Sequence, residues 1–555
     1  MLLSGLIALC LAFLLPGHYP PWVSFQQQWL AAFGVALIGV SVTLGALQGA
    51  GIRWPVAARV ALALAVVPWL QLAVGQIAFV ADALLASLFV AAFGLAIVAG
   101  ASATGARRTE LLDGLCNVFI AAGIVSTAMA SWQWLQLGSS LYVADLAPGA
   151  RPFANLAQPN HLSSLLGMAV AATLRGYETR RIRGGVAALA IAWFGFGMLM
   201  AQSRTGWLFV AVVALGWIGS RRKAGLRLPA FALVGGVLAF VVGVLCWARL
   251  GDALLLHNVA LEDRLTSSGR TLIWPVLIDA ARQSPWFGYG WNQIGAAQLA
   301  TALSHPSAQH WYTDSHNLVL DLVLWVGIPL GLLLSVLLAA WFVREVRRCT
   351  DPDRWALLLT ITAVLLHAMV EYPHSYLYFL LPVGLMMGLL EGGTPPPART
   401  FAAFGLGLPL AALLVMLLWI GTEYLRVEES FRQLRFVSAR IGVDRVAAAP
   451  APDVWLLDAP RETHRMLTLK PTANWPAADL QRMREVAERF PTVPVLFRYA
   501  WVAGLNGQRS EAARALGLIC KLNSERACKE MLAEWSALQA TEPALRGIEA
   551  AGRSP

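Results

Sequence analysis

Long apolar runs separated by short polar segments fill most of the first 420 residues of the chain. A helix needs about twenty apolar residues to cross a hydrocarbon core roughly 30 Å thick. The runs are unbroken rather than alternating, and a backbone in lipid must satisfy its own hydrogen bonds, so the pattern favours helices over a barrel. We predict roughly thirteen spans by the twenty-residue criterion, starting near Leu2, Trp29, Val56, Phe79, Leu111, His161, Val186, Gly206, Pro229, Asn317, Trp355, Tyr376 and Phe401.

Two longer polar segments interrupt or follow these runs. We predict a transmembrane domain at residues 1–420, which includes a large outer loop at 250–315, and a C-terminal domain at residues 421–555. Within the C-terminal domain, residues 490–513 combine an Ala-rich helix, an Asn-Gly turn and a second helix, as a TPR-like hairpin does. The predicted fold class is therefore an all-α polytopic membrane protein with a C-terminal helical domain.

The charged residues indicate how the spans are oriented. Charged residues make up 13% of the chain, and the net charge is +10. The basic residues cluster in short loops, as topology determinants do, so the positive charge does not indicate nucleic-acid binding. With a cytoplasmic N-terminus, the even-numbered spans end in basic cytoplasmic loops that contain Arg53, Arg59, Arg107, Arg108, Arg175, Arg180, Arg181, Arg183, Arg221, Arg222, Lys223, Arg344, Arg347, Arg348 and Arg399.

The opposite side of the membrane is poor in positive charge. Its short loops hold only Arg151 and Arg204, as the positive-inside rule expects of a non-cytoplasmic face. The large loop then also lies outside, and so does the C-terminal domain if the number of spans is odd. We therefore predict a cytoplasmic N-terminus and an outer C-terminus.

The chain has six cysteines, and their spacing is not that of a zinc site. Four of them lie in or beside apolar runs and are interpreted as packing residues. Cys520 and Cys528 lie close together in the C-terminal domain. They would form a disulfide if that domain lies in an oxidising compartment.

Arginines on the outer side are candidates for binding an anion. Arg204 lies in a tight hairpin at residues 202–206, and Arg264 and Arg270 lie in the large outer loop. Charged groups beside a span cost about 2.5–3.5 kcal/mol on insertion scales, so each needs a reason. A planar guanidinium binds phosphate oxygens through two hydrogen bonds. The alternatives are a snorkelling side chain for Arg204 and ordinary solvated arginines in the loop.

Polar residues at three span boundaries complete the outer set. His316 stands where the large loop becomes a helix, and histidine is well suited to proton transfer near neutral pH. The alternative for His316 is that it only belongs to the helix cap. For two of the residues named next, the alternatives are that Asn160 caps another helix and that Glu371 is an interfacial carboxylate without a role. The residues that we consider for donor or acceptor binding at the other two boundaries are Gln158, Asn160, His161, Glu371 and Tyr372.

Several nucleotide-dependent reactions are disfavoured by the sequence. It contains no Walker A motif, no GxGxxG segment that opens a helix after a strand, and no DxD-like pair positioned for a divalent metal. We expect neither a metal nor a cofactor. Arginines, a histidine and a carboxylate on one face suit an anionic headgroup at the membrane surface with an acceptor to deprotonate beside it.

At these residues the sequence resembles the O-antigen ligase/polymerase superfamily. Within that superfamily it is most similar to the bacterial protein O-oligosaccharyltransferases of the pilin glycosylase (PglL) type. The order of the motifs and the side of the membrane on which they fall make the match specific. The motifs that carry it are the segments 151–161, 202–206, 269–270 and 315–321, together with 15–25, 371–379 and 506–512.

The resemblance implies a polytopic enzyme of the bacterial inner membrane with a periplasmic site. Such an enzyme moves a preassembled oligosaccharide en bloc from undecaprenyl diphosphate to a Ser or Thr hydroxyl of a periplasmic protein such as pilin. By position, Arg204 and Arg270 would hold the diphosphate, and His316 would orient or deprotonate the hydroxyl or assist the leaving group. The implied partners are the lipid-linked oligosaccharide, the protein acceptor and membrane lipids, without nucleic acid.

Two other functions stay open from the sequence. An O-antigen ligase or polymerase would use the same donor but attach glycan to lipid A–core or to a growing glycan. The C-terminal domain and the segment that begins at Glu371 favour a protein acceptor. A transporter of lipid-linked oligosaccharides would place charged groups at mid-membrane along a pathway, whereas here they cluster at one face.

Overall fold

The computed structural model describes residues 1–17, 19–46, 51–147, 149–254, 256, 270–392, 404–439 and 450–552. Arg264, one of the predicted site residues, lies outside the described residues. Helices account for 74% of the structure, and the described ranges contain no strand. The predicted all-α fold class is therefore confirmed.

The helices follow the apolar runs along the chain. Those that precede the large loop are α1 (Leu2–Ala12), α2 (Phe25–Gly45), α3 (Val56–Leu64), α4 (Val67–Ala73), α5 (Val80–Ser102), α6 (Gly105–Trp134), α7 (Pro159–Glu178), α8 (Gly184–Ala201), α9 (Arg204–Ser220) and α10 (Ala230–Ala253). The next are α11 (Arg270–Gln283), α12 (Ile294–Thr301), α13 (Leu318–Val326), α14 (Ile328–Arg347), α15 (Pro352–Ala368), α16 (Leu377–Gly392) and α17 (Phe404–Ser438). The last are α18 (Asp458–Thr468), α19 (Ala477–Arg489), α20 (Val493–Leu505), α21 (Arg509–Leu522) and α22 (Glu525–Thr541).

Eight helical segments among the described residues are long and apolar enough to cross a membrane. One of them is the broken pair α3 and α4, which together cover Val56–Ala73. Other predicted spans correspond to helices that are shorter or more polar, such as α1, α9 and α16. The protein is thus a multi-pass membrane protein, while the count of roughly thirteen spans stays a prediction.

The first of two compact units holds most of the apolar helices. Glycines let some of them approach backbone to backbone: a Cβ on Gly5 of α1 would lie 2.5 Å from the Gly34 carbonyl oxygen of α2. Small residues are usual at such interfaces, because lipid gives helices no hydrophobic reason to associate. This unit comprises Met1–Ala65, Leu88–Ser267 and Leu337–Leu418.

Helix α7 is buried along nearly its whole length in the first unit. At its C-terminal end, Arg175 forms ion pairs with Asp113 (2.8 Å) and Asp353 (2.7 Å). A buried charge needs such partners, because its desolvation is costly. The C-terminal end of α7 is thus held by ion pairs, whereas its N-terminal end carries the Gln-Pro-Asn-His motif.

The second compact unit gathers the N-terminal end of α5, the large loop and the C-terminal region. Asp458 accepts hydrogen bonds from the N–H groups of Val80 (3.1 Å) and Ala81 (2.9 Å) in the first turn of α5. Arg489 forms two hydrogen bonds with Asp82, at 2.7 and 2.9 Å. This unit comprises Val66–Ser87, Ser268–Val336 and Trp419–Pro555.

The C-terminal region also contacts the large loop. The Ser307 hydroxyl donates to the carbonyl oxygen of Lys521 (2.9 Å), and Lys521 Nζ donates to the carbonyl oxygen of His305 (2.7 Å). Next to this contact, a disulfide joins Cys520 at the end of α21 to Cys528 in α22. The two cysteines are therefore paired as the sequence allowed, and the oxidising compartment on which the prediction depended stays a prediction.

The predicted helical hairpin is present as α20 and α21. Its turn contains Gly507 with a φ of +78°, a conformation that glycine adopts without strain. Assignment of the hairpin to the TPR class stays a prediction. The start of the predicted C-terminal domain is a continuation of α17, which runs without a break from Phe404 to Ser438.

Candidate functional site

A polar cluster lies at the N-terminal end of α7, within the first unit. Asn160 Nδ2 donates to Glu371 Oε1 (3.1 Å), and the Ser203 hydroxyl donates to Asn160 Oδ1 (2.6 Å). Asn160 thereby joins the start of α7 to the α8–α9 turn and to the segment after α15. It does not cap α7, because Gln158 occupies the N-cap position.

The tight hairpin predicted around Arg204 is present. Gln202 adopts a left-handed conformation (φ +44°) directly after α8, and α9 begins at Arg204. The Ser203 hydroxyl caps α9 by accepting the N–H of Thr205 (3.2 Å). The side chain of Arg204 is exposed at this helix start, where the helix dipole favours anions.

Arg151 adds a second guanidinium to this cluster. Its Nη1 donates to the carbonyl oxygen of Gln202 (3.4 Å). Burial lowers the pKa of Arg151, an effect that the Glu371 carboxylate opposes and the charge of Arg204 strengthens. The two arginines and the carboxylate therefore lie within electrostatic reach of one another.

His161 faces the interior of the first unit. Its ring is fully buried, and its Nδ1 lies 2.9 Å from the Tyr378 hydroxyl oxygen. The ring packs edge-on against Tyr376 (4.4 Å) and His367 (5.3 Å), while Tyr372 stacks on Tyr376 at 6.1 Å. The structure thus places His161 in buried aromatic packing and not among the polar groups of the cluster.

A second polar cluster surrounds His316, within the second unit. His316 has a φ of +60°, which is uncommon for a residue other than glycine. Such strain costs about 1–3 kcal/mol and persists only where the surroundings enforce it. The preceding residue supplies that constraint: Ser315 N–H donates to Asp321 Oδ1 (2.8 Å), and its carbonyl oxygen accepts Trp274 Nε1–H (2.9 Å).

The residues beside His316 leave its ring outside the helix that follows. Asn317 is the N-cap of α13 and accepts a backbone N–H through its side chain (3.1 Å), so the capping role belongs to Asn317. The half-buried His316 ring lies 5.5 Å from the ring of Tyr312. Buried Gln298 in turn accepts the N–H of Tyr312 and donates to the carbonyl oxygen of His310, both at 2.9 Å.

Arg270 begins α11 as the structure describes it. Trp274 lies one turn later on the same face of the helix. Because Trp274 is bonded to Ser315, the start of α11 lies beside the His316 turn. This hydrogen bond connects the helix that carries Arg270 to the turn that carries His316.

Sequence reasoning missed several residues that shape these clusters. Ser203 bonds to Asn160, and Trp274 and Asp321 bond to Ser315, the residue before His316. Gln298 bonds to the backbone of Tyr312, whose ring packs against His316. A signal existed for two of them, since Trp274 follows Arg270 at helical spacing and Asp321 closes the 315–321 motif. Gln298 carries no such signal, because its partners are backbone atoms.

The fold and these clusters define a multi-pass membrane protein with arginine, histidine and carboxylate side chains gathered near the ends of several helices. Three family models match successive parts of the chain. The protein glycosylation ligase model matches residues 152–174, the O-antigen ligase model matches 187–335, and the C-terminal model of virulence factor membrane-bound polymerases matches 355–521. All of the predicted site residues fall within these ranges.

Two relatives from Acinetobacter baylyi (strain ATCC 33305 / BD413 / ADP1) extend the match. The chain is 28% identical to a general O-oligosaccharyltransferase over 545 residues, which cover 95% of this chain and 93% of the relative. It is 26% identical to a ComP-specific O-oligosaccharyltransferase over 424 residues, or 76% of each chain. The resemblance to O-oligosaccharyltransferases of the O-antigen ligase superfamily is confirmed, and the protein is an enzyme of the oligosaccharyltransferase class.

Proposed function

We propose that the protein transfers a preassembled oligosaccharide en bloc from undecaprenyl diphosphate to Ser or Thr hydroxyls of periplasmic proteins such as pilin. The observation that carries this proposal is the similarity to a general O-oligosaccharyltransferase over 95% of the chain. The match to the protein glycosylation ligase model at residues 152–174 also supports a protein acceptor. No metal or cofactor is part of the proposed reaction.

The arginines are proposed to bind the donor diphosphate. Arg204 and Arg270 are the first residues of α9 and α11 as the structure describes them, and a planar guanidinium binds phosphate oxygens through two hydrogen bonds. Fixed positive groups stabilise the negative charge that develops on the leaving diphosphate. Arg264 is proposed as a further donor ligand from the large loop.

His316 is proposed to act on the acceptor. The acceptor oxygen attacks the anomeric carbon, the bond from that carbon to the phosphate oxygen breaks, and undecaprenyl diphosphate leaves. The acceptor proton passes to the His316 imidazole, either directly or as the leaving group departs. Attack opposite the leaving group inverts the configuration of the anomeric carbon.

The cluster around Asn160 is proposed to bind donor or acceptor. Gln158, Asn160, Glu371 and Tyr372 offer amide, carboxylate and hydroxyl groups suited to hydroxyl-rich ligands. Asn160 and Glu371 are held by their mutual bond at 3.1 Å. His161 contributes to this binding by orienting the start of α7 from its buried position.

The reaction is proposed to occur at the periplasmic side of the inner membrane, with the N-terminus in the cytoplasm. Two observations support this orientation. The second unit contains the large loop and the C-terminal domain, which the arginine pattern assigns to the outer side, together with parts of adjoining predicted spans. The Cys520–Cys528 disulfide suits an oxidising compartment.

Co-expression with a lipid-linked glycan pathway and a pilin tests the function. We expect a gel shift of the pilin and a glycan mass on a Ser- or Thr-containing peptide. The match to the O-antigen ligase model favours one alternative, in which glycan reaches lipid A–core and no protein is modified. If neither acceptor carries glycan while lipid-linked glycan crosses the membrane, the protein is a transporter and the proposal is wrong.

A further inference from the structure

The turn that presents His316 is fastened through the residue before it. Every backbone polar group of Ser315 has a side-chain partner: its N–H donates to Asp321 and its carbonyl oxygen accepts from Trp274. The Ser315 hydroxyl donates to the carbonyl oxygen of Asn317 at 2.9 Å. The peptide bonds on either side of Ser315, the residue before the strained one, are therefore fixed from α11 and from α13.

Trp274 also connects the His316 turn to Arg270. It lies in the helix that Arg270 begins, one turn further along. A single N–H···O bond of 2.9 Å thus connects the helix that carries the guanidinium to the turn that carries the imidazole. A change in this bond alters the separation of the two groups and leaves each of them present.

We infer that Trp274 is a positioning residue, which sets His316 relative to Arg270 through the Ser315 carbonyl, with Asp321 holding the other side of the same turn. This inference rests on the proposed roles of His316 and Arg270. Trp274 does not itself contact donor or acceptor in this account, so its loss changes the rate of transfer rather than the binding of substrate.

The test uses the full-length enzyme in proteoliposomes with a lipid-linked oligosaccharide and an acceptor pilin. Trp274→Phe keeps the aromatic ring and removes the N–H donor. We expect kcat to fall by roughly tenfold or more, as misplacement of a catalytic group does, with an unchanged KM for the donor. Trp286→Phe is the matched control, because Trp286 is 71% exposed on the turn that follows α11, and we expect wild-type kcat from it.

A conservative substitution of Asp321 should preserve the position of the turn and therefore the activity. Asp321→Asn keeps a side-chain oxygen that can accept the Ser315 N–H, whereas Asp321→Leu does not. We expect Asn to retain most of kcat and Leu to lose it. A merely structural role would instead reduce both variants in proportion to their loss of folded protein, which size-exclusion chromatography measures.

His316→Ala in the same assay separates this inference from the proposed function. If His316→Ala abolishes transfer but Trp274→Phe keeps the wild-type kcat, the positioning role is refuted and the proposed function stands. A raised donor KM in Trp274→Phe with unchanged kcat also refutes positioning. If His316→Ala transfers glycan at the wild-type rate, the catalytic role of His316 fails and the inference fails with it.

Discussion

The contact between the C-terminal region and α5 leads to a quantitative prediction. Asp458 accepts the N–H groups of Val80 and Ala81 at 3.1 and 2.9 Å, two donors that have no partner inside the helix. Loss of a capping side chain costs about 1 kcal/mol, and loss of a negative charge at a helix start adds about 0.3–1 kcal/mol. We therefore expect Asp458→Ala to destabilise the first turn of α5 by about 1.5 kcal/mol.

Hydrogen exchange of the detergent-solubilised protein measures this local effect. A change of 1.4 kcal/mol is about tenfold in an equilibrium constant, so the amides of Val80 and Ala81 should exchange roughly tenfold faster in Asp458→Ala. Asp458→Asn keeps one side-chain acceptor and should give a smaller increase. Asp453→Ala is the control, because Asp453 is an exposed aspartate shortly before α18. Unchanged exchange at both amides in Asp458→Ala would refute this account of how the C-terminal region is attached.

Three further predictions follow from other contacts. The double variant Cys520→Ser/Cys528→Ser removes a disulfide that closes a short loop, with a sequence separation of 8. The chain-entropy relation gives a loss of folding stability of about 2.5 kcal/mol, so the C-terminal region should become more sensitive to protease. Gly327→Ala should lower the thermal stability, because Gly327 has a φ of +87° and a Cβ would lie 2.2 Å from the Trp286 carbonyl oxygen; Gly236→Ala, with open space at its Cβ, is the control. Asn160→Asp should reduce transfer more than Asn160→Ala, because a second carboxylate would repel Glu371, and equal activity of Asn160→Asp and wild type would contradict the role of this cluster.

The spans could be predicted from the sequence because each depends on a local property. An apolar run of sufficient length becomes a helix in lipid whatever its neighbours are, and the helices begin close to the predicted starts. The break of the third span into α3 and α4 was missed, although Pro68 in the first turn of α4 marks it, because a proline clashes with the carbonyl group four residues earlier and ends the preceding helix. The sequence analysis also did not predict that α17 runs on to Ser438. The change from apolar to charged residues resembles a domain boundary, although the helical propensity continues through it.

The site could be predicted only in part, for a different reason. Residue types suited to phosphate and to proton transfer were recognisable at Arg204, Arg270 and His316. The positive φ of His316 was not, because nothing in a sequence marks a histidine that must adopt a conformation that glycine prefers. His161 was considered for donor or acceptor binding at a span boundary beside Asn160, yet one step along a helix turns a side chain by about 100°, and the ring is fully buried.

The central claim is that His316 acts on the acceptor while the arginines hold the diphosphate. A single-turnover transfer assay with purified His316→Ala, saturating lipid-linked oligosaccharide and an acceptor pilin tests it most directly. We predict that this variant binds the donor as tightly as the wild-type protein and forms no glycosylated pilin, whereas His310→Ala, a change at an exposed histidine of the same loop, transfers normally. Transfer by His316→Ala at the wild-type rate would contradict the claim.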